Sequence, residues 1–174
     1  MNKHEKILFL DIDGVLNSGD NMVSLHTNRQ IGLIDDVRDE FGYFFDDRCV
    51  RHLRWVEHET KCKFVISSTW RKDGLEVMQN LWTKRNLPGE VIDITPTRVS
   101  QYVINMYGII NDEGDRGFEI QEWLEENNWD KYCIADDDGD MLNHQMGQFV
   151  KVNNKVGLDY FSAMKIINVL NDEL

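Results

Sequence analysis

The chain has 174 residues, 41% of them apolar and 29% charged, which is the balance of a folded globular domain and not of a disordered one. The 19 Lys and Arg are outnumbered by 31 Asp and Glu, and the net charge of −12 excludes a basic face that would coat nucleic acid, though not a small basic pocket within an acidic shell. No apolar run approaches the ~20 residues that span a bilayer, so no membrane partner is expected. Residues 1–6 lead into only four apolar positions, too few for a signal-peptide core. Cys49, Cys62 and Cys133 are odd in number and never form CxxC, as expected of buried thiols in a reducing cytoplasm. The length suits one domain over residues 1–174.

Strands and helices alternate along the chain. Ile7–Leu10 is a wholly apolar strand that stops at Asp11. Asp46 reads as a helix N-cap, with Cys49, Leu53 and Val56 following at helical spacing. Residues 64–66 form a second buried strand, ended by Ser67, Ser68 and Thr69. Leu75, Met78, Leu81 and Trp82 mark a helix closed by Pro88 and Gly89. Val91–Ile94 is a third strand. Ile120, Trp123 and Leu124 give another helical face. Residues 132–135 form a fourth strand, ending at Asp136, and residues 149–152 a fifth. Leu158 and Asp159 open a closing helix that carries Phe161, Ile166, Val169 and Leu170.

Short strands apolar on both faces belong to parallel sheets, and their alternation with helices predicts a three-layer, doubly wound α/β domain. Such folds bind ligands at the carboxyl ends of their strands. Three of those ends here are polar: Asp11 with Asp13; Ser67, Ser68 and Thr69; and Asp136, Asp137, Asp138 and Asp140. Carboxylates that converge repel one another unless a cation joins them. An oxygen-only donor set suits Mg²⁺, and neither HExxH nor a Cys/His cluster offers a zinc alternative. A Mg²⁺ site with an open position suits a phosphate.

The segment DIDGVLN, an apolar strand running into DxDG, resembles the first motif of the haloacid dehalogenase (HAD) superfamily. VISS, from Val65 to Ser68, is similar to its second motif, and IADD, from Ile134 to Asp137, to its fourth. The third motif is a Lys or Arg between these, and Arg116, just before a helix, is the candidate. Together with VISSTWR, RGFEIQEWL and IADDDGDM, the pattern resembles the small HAD domains associated with Swiss Army knife RNA-repair proteins. The resemblance implies a HAD-like fold, Mg²⁺ as cofactor, and a phosphomonoester phosphatase working through an aspartyl-phosphate. It implies Asp11 as nucleophile and Asp13 as general acid and base. Gly14 would let backbone approach the phosphate, Ser67 would bind a phosphoryl oxygen, and Arg116 would neutralise its charge. Metal contacts would come from Asp11, Asp136 and the carbonyl of Asp13, with Asp137 or Asp140 as the further acid. The implied substrate is a nucleotide or a nucleic-acid phosphate end, or alternatively a sugar or other small metabolite.

Plainer readings stand beside these. Ser67 either binds phosphate or caps a helix, and Ser68 is a second hydroxyl at the same strand end. Trp70 and Arg71 either stack on and pair with substrate or cover the edge of the site. Arg48, Arg51 and Arg54, beside His52 and His58, fit a solvated helix face, and Trp55, Trp82, Trp123 and Trp129 fit packing positions. Residues 18–45 are surplus to a bare core and are expected to form a short flap or cap, whose His26, Arg29, Arg38 and Tyr43 either touch substrate or decorate a surface hairpin. Residues 99–111, with Tyr102, Met106 and Tyr107, form a second surplus segment. Readings of another class are a phospho-accepting receiver domain and a HAD scaffold that binds without catalysis. The first is disfavoured because the first strand ends in D-x-D and not in adjacent acids. No Walker A or GxGxxG sequence supports kinase or dehydrogenase chemistry.

Overall fold

A computed structural model describes residues 5–97, 104–105, 108–109 and 115–172. In chain order the elements are β1 (Ile7–Leu10), α1 (Gly19–Gln30), β2 (Arg38–Asp39), β3 (Gly42–Tyr43), α2 (Asp47–Thr60), β4 (Lys63–Ile66), α3 (Leu75–Lys84), β5 (Val91–Ile94), β6 (Ile104–Asn105), β7 (Gly108–Ile109), α4 (Asp115–Asn127), β8 (Tyr132–Asp136), β9 (Phe149–Lys151) and α5 (Tyr160–Asn171). Five strands form one sheet in the order β5-β4-β1-β8-β9, with every neighbouring pair parallel. The pairs β2–β3 and β6–β7 are separate antiparallel hairpins.

Period-two alternation divides the core. Leu8 and Leu10 of β1 face α2, α3 and α5, where they pack with Leu53, Val56, Leu81 and Ile166. Ile7 and Phe9 face the other way, toward Ile120, Trp123 and Leu124 of α4. Phe9 meets Trp123 edge to face, ring centres 5.3 Å apart. Both sheet faces are therefore covered, which is why β1 is apolar at every position. The sheet order puts β1 in the middle, so that the ends of β4 and β8 flank the end of β1.

Local signals set the helix starts. The Asp46 carboxylate accepts the Arg48 backbone N–H, and Asp159 accepts that of Ser162. Of the α2 arginines, Arg48 pairs with Asp46, while Arg51 and Arg54 are exposed. His52 hydrogen-bonds the carbonyl of Leu158 through Nδ1. Trp82, Trp123 and Trp129 are buried, and Trp55 stacks on Tyr160. All three cysteines are buried and unpaired.

Residues 18–45 hold α1, which buries none of its residues, and the β2–β3 hairpin. Arg85, at the end of α3, clips this hairpin to the core. It grips both Asp39 oxygens at 2.6 and 3.0 Å and donates to the carbonyls of Gly42 and Tyr43. Of the second surplus segment only the β6–β7 residues are described; Tyr102, Met106 and Tyr107 lie outside the described residues.

The loop between β9 and α5 turns at Gly157, whose φ is +72°. A Cβ there would stand 2.5 Å from Cys49 Sγ and 2.8 Å from the carbonyl of Val15. Gly157→Ala is expected to cost about 2–6 kcal/mol, combining left-handed strain with overpacking at roughly 1–3 each. Urea unfolding measures it.

Candidate active site

Two backbone bonds carry the ladder past its strand ends. Asp11 N–H donates to Ala135 O, and Ser67 N–H donates to Leu10 O, both at 3.0 Å. The end of β1 is thereby locked between the ends of β4 and β8. Asp11, Ser67 and Asp136 emerge side by side because three parallel strands stop in register.

Beyond Asp11 the chain folds into a tight turn in which Ile12 O accepts from Val15, Leu16 and Asn17. Gly14 sits in this turn with φ +76°. Glycine was expected there to admit a phosphate, but the structure gives it another task. A Cβ at this position would lie 2.3 Å from Cγ of Asp137, so glycine makes room for that carboxylate while its backbone still lines the cleft.

Carboxylate oxygens of Asp11, Asp136 and Asp137 lie within 4.8 Å of one another. Asp11 and Asp136 are 6% and 2% exposed. Burial pushes the Asp11 carboxyl up to about 6, opposed chiefly by Arg116. Burial, and then the charge of Asp11, push Asp136 up to about 8, again opposed by Arg116. Asp137 is also raised, by burial and then by Asp138. One oxygen of Asp136 is buried with no hydrogen-bond partner. Three crowded hard-oxygen donors, one of them unsatisfied, fit a divalent cation such as Mg²⁺.

The Asp13 carboxylate, expected as the general acid and base, stands outside this cluster. It is exposed and accepts from Trp70 Nε1 at 2.9 Å and Asn17 Nδ2 at 3.2 Å. Its charge still reaches Asp137, whose carboxyl it helps to raise, and the metal contact expected of Asp13 is its backbone carbonyl. Asp137 and Asp140 also separate. Asp137 joins the cluster, while the Asp140 carboxylate accepts the Arg116 backbone N–H at 3.3 Å and the Asp140 backbone carbonyl that of Gly117 at 3.1 Å, which fixes the start of α4.

Arg116, in the first turn of α4, reaches into the acid cluster. Its guanidinium donates to the carbonyl of Ser67 and lies 3.9 Å from Asp11 Oδ1 and 3.6 Å from Asp136 Oδ2. Gly117 permits the close seat, since a Cβ there would be 2.6 Å from the Leu142 nitrogen. Arg98, another basic residue that follows a strand end in the sequence, lies outside the described residues. The hydroxyls of Ser67 and Ser68 are both buried without a hydrogen-bond partner. Ser68 comes near enough to favour charge on Asp11, short of hydrogen-bond geometry.

Arg71 does not reach the cleft. It is 5% exposed and donates to the carbonyls of Ser68, Thr95 and Pro96. It also pairs with Glu119 of α4 at 2.6 Å. Burial lowers its pKa, opposed by Glu119. Arg71, expected as a substrate contact, instead uses its donors to tie the turn after β4 to the helix that carries Arg116.

A cleft of about 840 Å³ opens over Asp11, Asp13, Asp137 and Arg116. Trp70, Thr69, Met22 and Tyr43 line it, as do Asn154 and Lys155, which sequence reasoning missed. Both of the latter follow β9, so the strand-end rule applied to the fifth strand would have found them. His26 and Arg38 pack on the Tyr43 ring instead of lining the cleft. A larger cleft of about 1050 Å³, between α1, the hairpin, the start of α2 and the end of α3, contains none of the clustered acids.

Among the described residues, no helix is long and apolar enough to cross a membrane. The family model described as "HAD domain in Swiss Army Knife RNA repair proteins" matches residues 7–162. No curated protein and no solved structure matches the chain.

Two outcomes follow from this geometry. Removing one partner of a buried ion pair costs about 3–5 kcal/mol, so Arg71→Met is expected to lower stability by that amount; a changed KM with an unchanged unfolding midpoint would return Arg71 to the substrate. The raised Asp11 and Asp136 values mean that the folded protein holds protons which the unfolded chain releases near pH 4. In a chelator, the stability contributed by these two groups is therefore expected to be fully present below that pH and lost as pH rises to about 8, whereas Asp39, Asp46 and Asp159, whose pKa values are lowered, act the other way in acid. Mg²⁺ should restore stability at pH 8, as thermal melts with and without EDTA would show.

Proposed function

The chain belongs to the family of HAD domains found in Swiss Army Knife RNA repair proteins, within a superfamily of phosphatase-type hydrolases, and from that premise we propose that it is a Mg²⁺-dependent phosphomonoester phosphatase. The observation that carries this reading is the meeting of Asp11, Asp136, Asp137 and Arg116 beneath one cleft. Asp11, Asp136 and Asp137 would hold Mg²⁺ with the carbonyl of Asp13, and the bound ion would supply positive charge to the phosphoryl oxygens.

An Asp11 carboxylate oxygen attacks phosphorus, and the bond from phosphorus to the leaving oxygen breaks. Asp13, outside the cluster at the cleft wall, gives its proton to that oxygen. In the second half Asp13 takes a proton from water, the water oxygen attacks the phosphorus of the aspartyl-phosphate, and the bond to Asp11 breaks. Inorganic phosphate leaves and Asp11 is restored. The unpartnered Ser67 hydroxyl is suited to donate to a phosphoryl oxygen, and Arg116 offsets negative charge from beside Asp11.

The substrate in this reading is a nucleotide or a nucleic-acid phosphate end. The open cleft suits a large leaving group, and the net charge of −12 disfavours a long nucleic-acid footprint. A small phosphorylated metabolite is the second reading. Three buried, unpaired thiols suit reaction in the cytoplasm.

Asp11→Asn keeps the shape of the side chain and removes the nucleophilic charge. Release of phosphate from an aryl phosphate is expected to fall by more than about 1,000-fold, roughly 4 kcal/mol of barrier, in a protein that still melts cooperatively. Turnover within about tenfold of the parent would remove Asp11 as nucleophile. Mononucleotides, 3′- and 5′-phosphorylated oligonucleotides and sugar phosphates, compared by kcat/KM, separate the two substrate readings.

A further inference from the structure

We propose that Trp70 is a positioning residue that sets Asp13 for proton transfer, and that it does so only while the β2–β3 hairpin is seated against its ring. The proposal rests on the phosphatase reading, in which Asp13 is the general acid. Among the described residues, the hydrogen bonds to the Asp13 carboxylate come from Trp70 Nε1 on Oδ2 and Asn17 Nδ2 on Oδ1. An exposed carboxylate on a turn has free rotamers, and these two donors remove that freedom. The indole N–H holds Oδ2 from one side and the Asn17 amide N–H holds Oδ1 from the other, which fixes the plane of the carboxylate toward the cleft wall.

Trp70 is in turn held by the hairpin. A Cβ at Gly42, where φ is +130°, would stand 2.7 Å from Cη2 of the indole, so hairpin backbone rests directly on the ring. Phe45, just after the hairpin, packs on Trp70 with ring centres 5.4 Å apart. The Arg85 guanidinium lies 4.4 Å from the Phe45 ring centre and 5.8 Å from that of Trp70. The same Arg85 grips Asp39 and the carbonyls of Gly42 and Tyr43. One chain of packed contacts thus runs from Arg85 through the hairpin to the indole and on to Asp13. Tyr43 of the hairpin also lines the cleft, so a substrate that touches the hairpin bears on the alignment of the acid. Esters whose leaving oxygen needs a proton, such as those of ribose hydroxyls, depend on this chain of contacts; aryl esters do not.

The test compares kcat and KM for 4-nitrophenyl phosphate and glycerol 2-phosphate in the parent, Trp70→Phe and Arg85→Met. For Trp70→Phe, which alters the cleft wall for both esters, the ratio of alkyl to aryl kcat is expected to fall about tenfold or more. The aryl activity reports that each variant is folded. Arg85→Met, although Arg85 lines no part of the catalytic cleft, is expected to lose alkyl turnover selectively as well. Equal loss on both esters, or no loss in Trp70→Phe, overturns the positioning role. Selectivity unchanged in Arg85→Met overturns the link to the hairpin. Independently of turnover, the Trp70 indole N–H resonance in proton–nitrogen spectra is expected to shift in Asp13→Ala and in Arg85→Met. An unmoved resonance overturns the contact. A moved one, in a protein that hydrolyses no ester, leaves the contact standing and removes the phosphatase reading.

Discussion

Crowding of carboxylates at the end of a buried sheet is the constraint around which this protein is organised. Asp11 and Asp136 follow directly from apolar strands and are almost wholly buried, so their charges repel at close range with little water to screen them. Positive charge must come to them. The fold brings it on α4, whose first turn carries Arg116 across the ends of β1 and β8. Asp140 accepts the N–H groups of Arg116 and Gly117, Gln145 donates to the Gly117 carbonyl, and Arg71 holds Glu119 one turn later. Much of the polar structure on this side of the sheet serves to put one guanidinium in place.

The acids divide the work by burial. Asp11, Asp136 and Asp137 are drawn together where a cation would be held most strongly. Asp13, two residues beyond Asp11, is turned outward and restrained by neutral donors. In the proposed reaction, where Asp13 gives and takes protons, this separation would help, because a metal directly on its carboxylate would keep the proton off. The DxDG spacing achieves it with one tight turn, and Gly14 allows that turn to pass beneath Asp137.

Much of the fold was legible because its strands are short, continuous and apolar. Strand ends at Leu10, Ile66 and Ile94 coincide with the first polar residue or turn signal, and the caps at Asp46 and Asp159 mark the starts of α2 and α5. The fates of Arg71 and Asp140 were not legible. A basic residue after a strand end reads the same whether it faces a cleft or a carboxylate on another helix. Arg71 turned inward because Glu119 and three carbonyls await it there. Asn154 and Lys155 were overlooked because their strand ends without any run of acids or hydroxyls to draw attention.

The sequence by itself determined that strands and helices alternate and that polar clusters, whose oxygen donors suit a hard cation, end the strands. These are properties of local order: periodicity of two or 3.6, capping chemistry, and the type of residue at which an apolar run stops. Only the tertiary structure decided which acids meet, that Asp137 joins them while Asp140 caps a helix, and that Trp70 holds Asp13 beneath the hairpin. Those outcomes depend on the order of strands in the sheet and on contacts between residues 24 to 126 positions apart. Spacing along the chain carries no record of such distances; they are fixed only when β1 lies between β4 and β8.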